Sequence, residues 1–463
     1  MNPSTLPSQT SSTATAETDV PTAPPSNRFA RLPLLAGRSF IPLGLFARLP
    51  LAMLTVGALT LTTSVSGSYA MGGTVAGAVG IGSAVGAPLL GALADRRGQR
   101  PVLLAAAVLN ALAVAALIAV ASAMGAAGAF PAAVFAAAFL AGASCPQVGP
   151  LARVRWMALT SGSARAGNTA DLDTALSYES TADEVTFVLG PALVGILASL
   201  LAPWLPLAVA AALTITLVPA FAVHRTHKAV PRSSRVPRSR AVSGNSAVLR
   251  GSAVSAAGAT FPAVVILPVL AMVCMGTFFG SAQTALSAFG ASFASSEAAG
   301  LLYAVMGLSS AATALWVAYW PRGFAVSLRW LVSAALMTAL SVLLLVPVSA
   351  GGMVAVLLIL GLPVGPLMVT VFSIGGLVAP AGRLGTVMTA LASGIVAGTA
   401  LGSSLAGQLA QAHGYAAAFL VTVGAATALL LLGLATAVVL RRRDARAAAT
   451  CAVPDAPEGL EGL

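Results

Sequence analysis

GALADRRGQRPV, residues 91–102, concentrates charge in a chain that carries very little of it elsewhere. Only 8% of the 463 residues are Asp, Glu, Lys or Arg, hydrophobic residues make up 58%, and the mean hydropathy is +0.93. A soluble domain typically carries about 25% charged residues. We therefore expect an integral membrane protein, in which this stretch is a turn between the two long apolar segments that flank it.

Twelve apolar segments can cross a bilayer, since a span needs about 20 mainly apolar residues. They are 46–68, 71–93, 101–123, 128–150, 181–202, 204–223, 261–283, 297–319, 327–349, 352–375, 384–407 and 416–439. The sequence therefore predicts an all-α integral membrane protein with twelve transmembrane helices in two six-helix halves. The expected units are a disordered tail (1–40), a first half (41–223), a basic linker (224–260), a second half (261–440) and a C-terminal tail (441–463).

The positive charges agree with this count. If the chain crosses twelve times, 23 of the 24 Lys and Arg residues fall in the tails or in connections on one side, and the exception is Arg48 near the start of span 1. The positive-inside rule then places both termini and the linker in the cytoplasm of a multi-pass membrane protein. The net charge of +11 is thus a sign of topology and of attraction to anionic lipid, not of nucleic-acid binding. The lipid bilayer is the expected partner, and we expect a monomer.

The opening stretch resembles the loop 2–3 signature of the major facilitator superfamily, written G-x-L-a-D-r-x-G-r-k-x-x-l. The matching residues are Gly91, Leu93, Ala94, Asp95, Arg96, Gly98, Arg100 and Leu103, whereas Gln99 replaces a usual basic residue. The resemblance covers about residues 40–440 and implies two halves that alternate access. It also implies a conformational latch formed by Gly91, Asp95, Arg96, Gly98 and Arg100. The Ala- and Arg-rich, Lys-poor composition is similar to that of actinobacterial members.

Two interpretations of the latch stretch compete. A positive-inside anchor explains Arg97 and Arg100, but not an aspartate between two glycines. Asp95 is placed to cap a helix amino terminus or to pair with an arginine across the boundary of the halves. The second-half counterpart around 320–323 (WPRG) lacks the aspartate, so we expect a latch on one side only.

A second, partial resemblance lies in span 5. EVTFVLGPALVGIL, residues 184–197, is similar to the antiporter motif G-x-x-x-G-P-x-x-G-G of exporters that exchange substrate for protons. Gly190, Pro191 and Gly195 match, while Thr186 and Val194 stand where glycines are usual. A third exporter signature, R-x-x-q-G in span 4, fails because Ala138 occupies the position of its arginine.

Few ionisable residues lie at membrane depth, where they are costly and usually functional. Asp183 and Glu184 begin span 5, one turn after Glu179, and are candidates for carrying a coupling proton. The alternative is structural, because Thr181 to Glu184 fits a helix capping box.

Arg48 either reaches back to the interface, pairs with Asp183 or Glu184, or attracts an anionic substrate. Gln147 and Gln283 offer hydrogen bonds to a substrate or between helices.

The sequence therefore predicts a secondary active transporter that exports a hydrophobic or amphipathic small molecule in exchange for protons. The same-class alternative is an importer or facilitator of a small polar metabolite, and the alternative from another class is a non-transporting membrane scaffold or sensor. Enzymatic activity is not expected, because the spans contain no histidine and the chain has no phosphate-binding loop. We expect neither a cofactor nor a metal site.

Overall fold

The computed structural model describes residues 28–123, 132–165, 169–230, 263–292, 298–321 and 323–451. Within these ranges the first half comprises α1 (Leu32–Ala36), α2 (Phe40–Phe46), α3 (Leu49–Ser66), α4 (Tyr69–Arg97), α5 (Gln99–Ala123), α6 (Ala132–Ala143), α7 (Val148–Arg165), α8 (Ala170–Leu200) and α9 (Leu205–Val223). The second half comprises α10 (Ala263–Ser292), α11 (Ala298–Trp316), α12 (Val326–Val342), α13 (Ala350–Val378), α14 (Leu384–His413) and α15 (Tyr415–Cys451). Short 3₁₀ helices lie at Arg28–Arg31, Arg225–Ala229, Val317–Tyr319 and Leu343–Leu345.

Twelve stretches of the described residues are long and apolar enough to cross a membrane, and this confirms the predicted number of spans. The first is Phe40–Ser66 and the last is Tyr415–Val439. Large apolar side chains such as Leu112 and Leu358 stay exposed on the outside of the bundle. Helices that are apolar all round are typical of a lipid environment, where no face must be polar.

The two halves meet where α4 packs against α14 and α8 packs against α11. Close approach of the first pair depends on Gly91, since a Cβ there would overlap the Thr389 hydroxyl and lie 2.7 Å from the Gly385 carbonyl oxygen. We call the end of the bundle that carries the α4–α5 turn and the start of α14 the basic face, because Arg96, Arg97 and Arg383 are exposed there.

The two largest errors in the predicted span boundaries occur next to charged residues. Span 4 runs Ala132–Ser161 instead of 128–150, and span 5 begins at Ala170 instead of 181. The arginines and carboxylates next to these two predicted boundaries lie inside the spans, because they pair within the bundle. Smaller differences occur elsewhere, since span 1 begins at Phe40 instead of 46 and span 7 ends at Gly290 instead of 283. Spans 1 and 4 are also broken, between α2 and α3 and between α6 and α7.

The predicted tails and linker are partly structured. Residues 28–40 were expected in a disordered tail but are largely helical and pack through buried Leu32, Ala36 and Phe40. Helix α15 continues beyond 440 to Cys451. At the start of the linker, Arg225–Ala229 forms a 3₁₀ helix. Residues 1–27, 231–262 and 452–463 lie outside the described residues.

Candidate functional site

A buried network of four charged side chains joins the start of α3, α7 and α8. Arg48 donates through Nη2 to Glu179 Oε2 at 2.6 Å and through Nη1 to Asp183 Oδ1 at 2.7 Å. Arg153 of α7 donates through Nη2 to the other oxygen of Asp183 at 2.7 Å. The Trp156 indole donates to Glu179 Oε1 at 2.7 Å. Two positive and two negative charges therefore balance one another inside the first half.

Local helix geometry explains why these residues meet. Glu179 and Asp183 are four residues apart on α8, so both face the same side of the helix. Arg48 lies at the break between α2 and α3, where its Nε donates to the Gly44 carbonyl at 2.9 Å. Burial of an unpaired charge would cost several kcal/mol, and mutual pairing offsets this cost. Arg48 thus does not reach back to the interface, and it pairs with Asp183 but not with Glu184.

A narrow cleft between the two halves, with a cavity volume of about 40 Å³, borders this network. Its lining includes Arg48, Arg153 and Asp183, together with the aromatic rings of Phe187 and Phe372. The Arg153 guanidinium lies 3.8 Å from the centre of the Phe372 ring, which belongs to the second half. The cleft therefore combines a charged floor with apolar walls.

The two glutamines proposed from the sequence lie in different places. Gln147 is buried, lines the cleft and donates to the Cys145 carbonyl at 3.0 Å. Gln283 is exposed on α10 and is not part of the cleft lining.

Glu184 lies beside Asp183 in sequence but faces the second half. Ser310 of α11 donates to Glu184 Oε1 at 2.9 Å, and neighbouring Thr181 donates to the Ala311 carbonyl at 3.1 Å. Glu184 is buried and takes part in no ion pair among those of the described residues. The capping-box alternative is wrong, since α8 begins at Ala170 and Thr181 lies in the middle of the helix.

Asp95 joins the halves at the basic face by capping α14. Its carboxylate accepts from the Gly385 N–H at 2.9 Å, and from the Thr386 N–H and hydroxyl, both at 2.7 Å. The unpaired N–H groups at a helix start are good donors to an anion. Gly98 ends α4 with a φ of +90°, a conformation that glycine adopts easily. Arg96 and Arg100 are exposed.

A second connection between the halves lies at the start of α8. Arg329 of α12 approaches Asp173 at 3.9 Å. Arg28 donates to the Ala318 carbonyl and lies over the Tyr319 ring, both of the second half. Here the second half supplies an arginine to the contact, and the expectation of a latch on one side only stays a prediction. Arg322 lies outside the described residues.

The sequence profile described as Major Facilitator Superfamily matches residues 40–394. The chain belongs to the major facilitator superfamily. Its fold is similar to the crystal structure of the human organic anion transporter MFSD10 (TETRAN), with a TM-score of 0.62, 21% identity, and coverage of 89% of this chain and 100% of that one. It is also similar to a bacterial homologue of the iron transporter ferroportin in an outward-facing state with soaked iron. That similarity has a TM-score of 0.59, 14% identity, and coverage of 86% and 98%. No curated protein matches the chain.

The span 5 motif of this superfamily member has a packing role at one of its positions. A Cβ on Gly190 would lie 2.6 Å from the Cβ of Ala52, so this glycine brings α8 close to α3. Pro191 lies inside α8, and Gly195 has open space around it. Within the described ranges, no cluster of three or more His, Cys, Asp or Glu side chains could hold a metal ion.

Sequence reasoning missed Arg153, Trp156 and Ser310 as parts of the site. The stretch LARVRW, residues 151–156, was assigned to a loop, although two arginines and a tryptophan among apolar residues also fit a buried helix. The spacing of Glu179 and Asp183 on one helix face was a usable sign that both face the same basic partners.

Proposed function

We propose that this superfamily member is a proton-coupled exporter of a hydrophobic or amphipathic small molecule that works by alternating access. It acts as a monomer in the bacterial plasma membrane, with the basic face and both termini in the cytoplasm. The contacts of Asp95 hold the basic face closed and act as the conformational latch. The apolar walls of the cleft favour a substrate with a large apolar part over a sugar, which needs many polar contacts.

The observation that carries this proposal is the position of Glu184. An ionised carboxylate buried without a counter-charge costs several kcal/mol, so Glu184 holds a proton while α8 and α11 stay together. When the halves part at the basic face, the Ser310 contact breaks and water reaches the carboxyl group, which then releases its proton to the cytoplasm. Asp183 is a weaker candidate for coupling, because two arginines neutralise it in place.

Purified protein reconstituted in liposomes tests the proposal, with an imposed pH gradient and a panel of lipophilic cations, antibiotics, aromatic acids and sugars. We expect substrate movement against its gradient that is driven by protons. The Glu184→Gln variant should lose this drive but keep exchange of labelled for unlabelled substrate, because exchange needs no net proton transfer.

Asp171→Asn is the matched control, since it removes one negative charge from the same helix at the basic face, where Asp171 pairs with Arg31. The Asp171→Asn variant should keep proton-driven transport. Full proton drive in Glu184→Gln would exclude this residue as the coupling acid. Sugar uptake without movement of the amphipathic compounds would exclude export of amphipathic molecules.

A further inference from the structure

The two arginines of the buried network differ in how fully their donors are used. Arg48 makes four hydrogen bonds, through Nε to Gly44, through Nη1 to Asp183 and the Glu179 carbonyl, and through Nη2 to the Glu179 carboxylate. Among the described residues Arg153 makes one, through Nη2 to Asp183, and its Nε is buried with no partner there. Arg153 therefore has unused donors at the floor of the cleft, whereas Arg48 is committed to holding the network together.

The network can lose negative charge more easily than it can lose positive charge. With both arginines and both carboxylates ionised its net charge is zero. Arginine does not lose its proton in proteins, while a carboxylate can gain one or turn away. The floor of the cleft can therefore become positive but not negative. A positively charged floor attracts an anionic ligand and repels a cationic one.

Asp183 is the member of the network that a ligand meets first. Its side chain is 15% exposed, against 3% for Arg48 and 1% each for Arg153 and Glu179. Gly149 keeps the space beside it open, because a Cβ there would lie 3.2 Å from Asp183 Oδ1. An incoming carboxylate would thus compete with Asp183 for the same guanidinium groups.

We propose that Arg153 binds the carboxylate or sulfonate group of an amphipathic organic anion. Before the ligand binds, the Asp183 carboxylate takes the same position on the Arg153 guanidinium. The planar guanidinium suits such groups because it binds two oxygens side by side. Phe187 and Phe372 hold the apolar body of the ligand. This inference rests on the proposed function only in taking the cleft as the transport pathway.

Calorimetric binding to the full chain in lipid nanodiscs, without any gradient, tests the proposal. The probes are 2-naphthoate and its size-matched cation, 2-naphthylmethylammonium. We expect wild type to bind the anion at least tenfold more tightly than the cation. Asp183→Asn should bind the anion about tenfold more tightly still, because it removes the internal competitor and leaves a positive site. Arg153→Gln should lose anion binding.

The Asp183→Asn result carries the test, since a gain in affinity cannot come from misfolding. Asp171→Asn, which makes the same charge change outside the cleft, should leave anion affinity at the wild-type value. Preference for the ammonium probe, no gain of anion affinity in Asp183→Asn, or no naphthoate binding to either protein would overturn the assignment. If one of these results is found but liposomes still show proton-driven transport, only the anionic substrate class is refuted and the proposed function is retained.

Discussion

Replacement of Asp95 by asparagine should shift the protein away from the state in which the basic face is closed. The carboxylate accepts three hydrogen bonds from the first turn of α14. Asparagine has the same shape but only one oxygen acceptor, so its amide NH₂ group would face either the Gly385 or the Thr386 donors. Hydrogen bonds to a charged group contribute about 1.5–3 kcal/mol each, and the charge at a helix start contributes about 0.3–1 kcal/mol more.

The net loss to the closed state is about 2 kcal/mol, which is roughly a 30-fold change in the ratio of closed to open protein. Thr386→Val removes only the hydroxyl bond and keeps both backbone bonds. It should therefore cost about 1.5 kcal/mol, or roughly tenfold in the same ratio. The two variants therefore weaken the same contact to different extents, Thr386→Val less than Asp95→Asn.

Spin-label distances across the basic face measure this shift directly. Labels at Arg97 and Ala381, which are exposed on the two sides of the boundary, report its opening once the native cysteines are replaced. We expect the longer-distance population to grow from wild type to Thr386→Val to Asp95→Asn. Transport turnover should fall much more than expression in Asp95→Asn.

Asp171→Asn is the control for loss of a negative charge at this face, because Asp171 pairs with Arg31 of its own half. It should change the distances less than Asp95→Asn does, because its ion pair with Arg31 lies within the first half. Unchanged distances in Asp95→Asn, or equal losses of turnover and expression, would show that the stretch is only a topological anchor.

Two further substitutions test the packing around this turn. Gly91→Ala should also favour the open basic face, because its Cβ would overlap Thr389, whereas Gly77→Ala on the same helix has open space and should behave as wild type in the same distance measurement. Gln99→Arg restores the usual basic residue of the signature but places a cation against Arg155, whose Nε donates to Gln99 at 2.8 Å. It should lower the Tm in detergent by several degrees, while Gln99→Glu should not. Equal Tm values for the two variants would show that repulsion from Arg155 is not the reason why Gln99 replaces the usual basic residue.

The number of spans was predictable because hydropathy is a property of composition over about 20 residues. The limits of spans 4 and 5 were not, since a hydropathy window treats each charge as solvated and does not see its partner. Arg153 and Asp183 are 30 residues apart in the chain but 2.7 Å apart in space. Charges that pair inside the bundle can extend a span through a stretch that looks like a loop.

The Asp95 contact was partly predictable for a different reason. Its partners are backbone N–H groups, which every helix start offers, so a carboxylate opposite the start of a helix has an obvious role. No comparable sequence feature indicated the partner of Glu184. Ser310 is a neutral residue in a small-residue segment of the other half, and only the packing of α8 on α11 brings the two together.

The distribution of strong and weak contacts fits halves that move as units. The close ion pairs of Arg48 and Arg153 lie within the first half, where breaking a buried pair would cost about 3–5 kcal/mol. Across the boundary, Asp95 and Glu184 instead bond to neutral N–H and hydroxyl donors, and the Arg329–Asp173 contact is long and partly exposed. A neutral donor can exchange a protein acceptor for water at a net cost of about 0.5–1.5 kcal/mol, or about 1.5–3 kcal/mol where the acceptor is an ionised carboxylate such as that of Asp95. Among the described residues, the boundary can therefore open without separating the close ion pairs of Arg48 and Arg153, and the charged floor of the cleft stays intact inside one half.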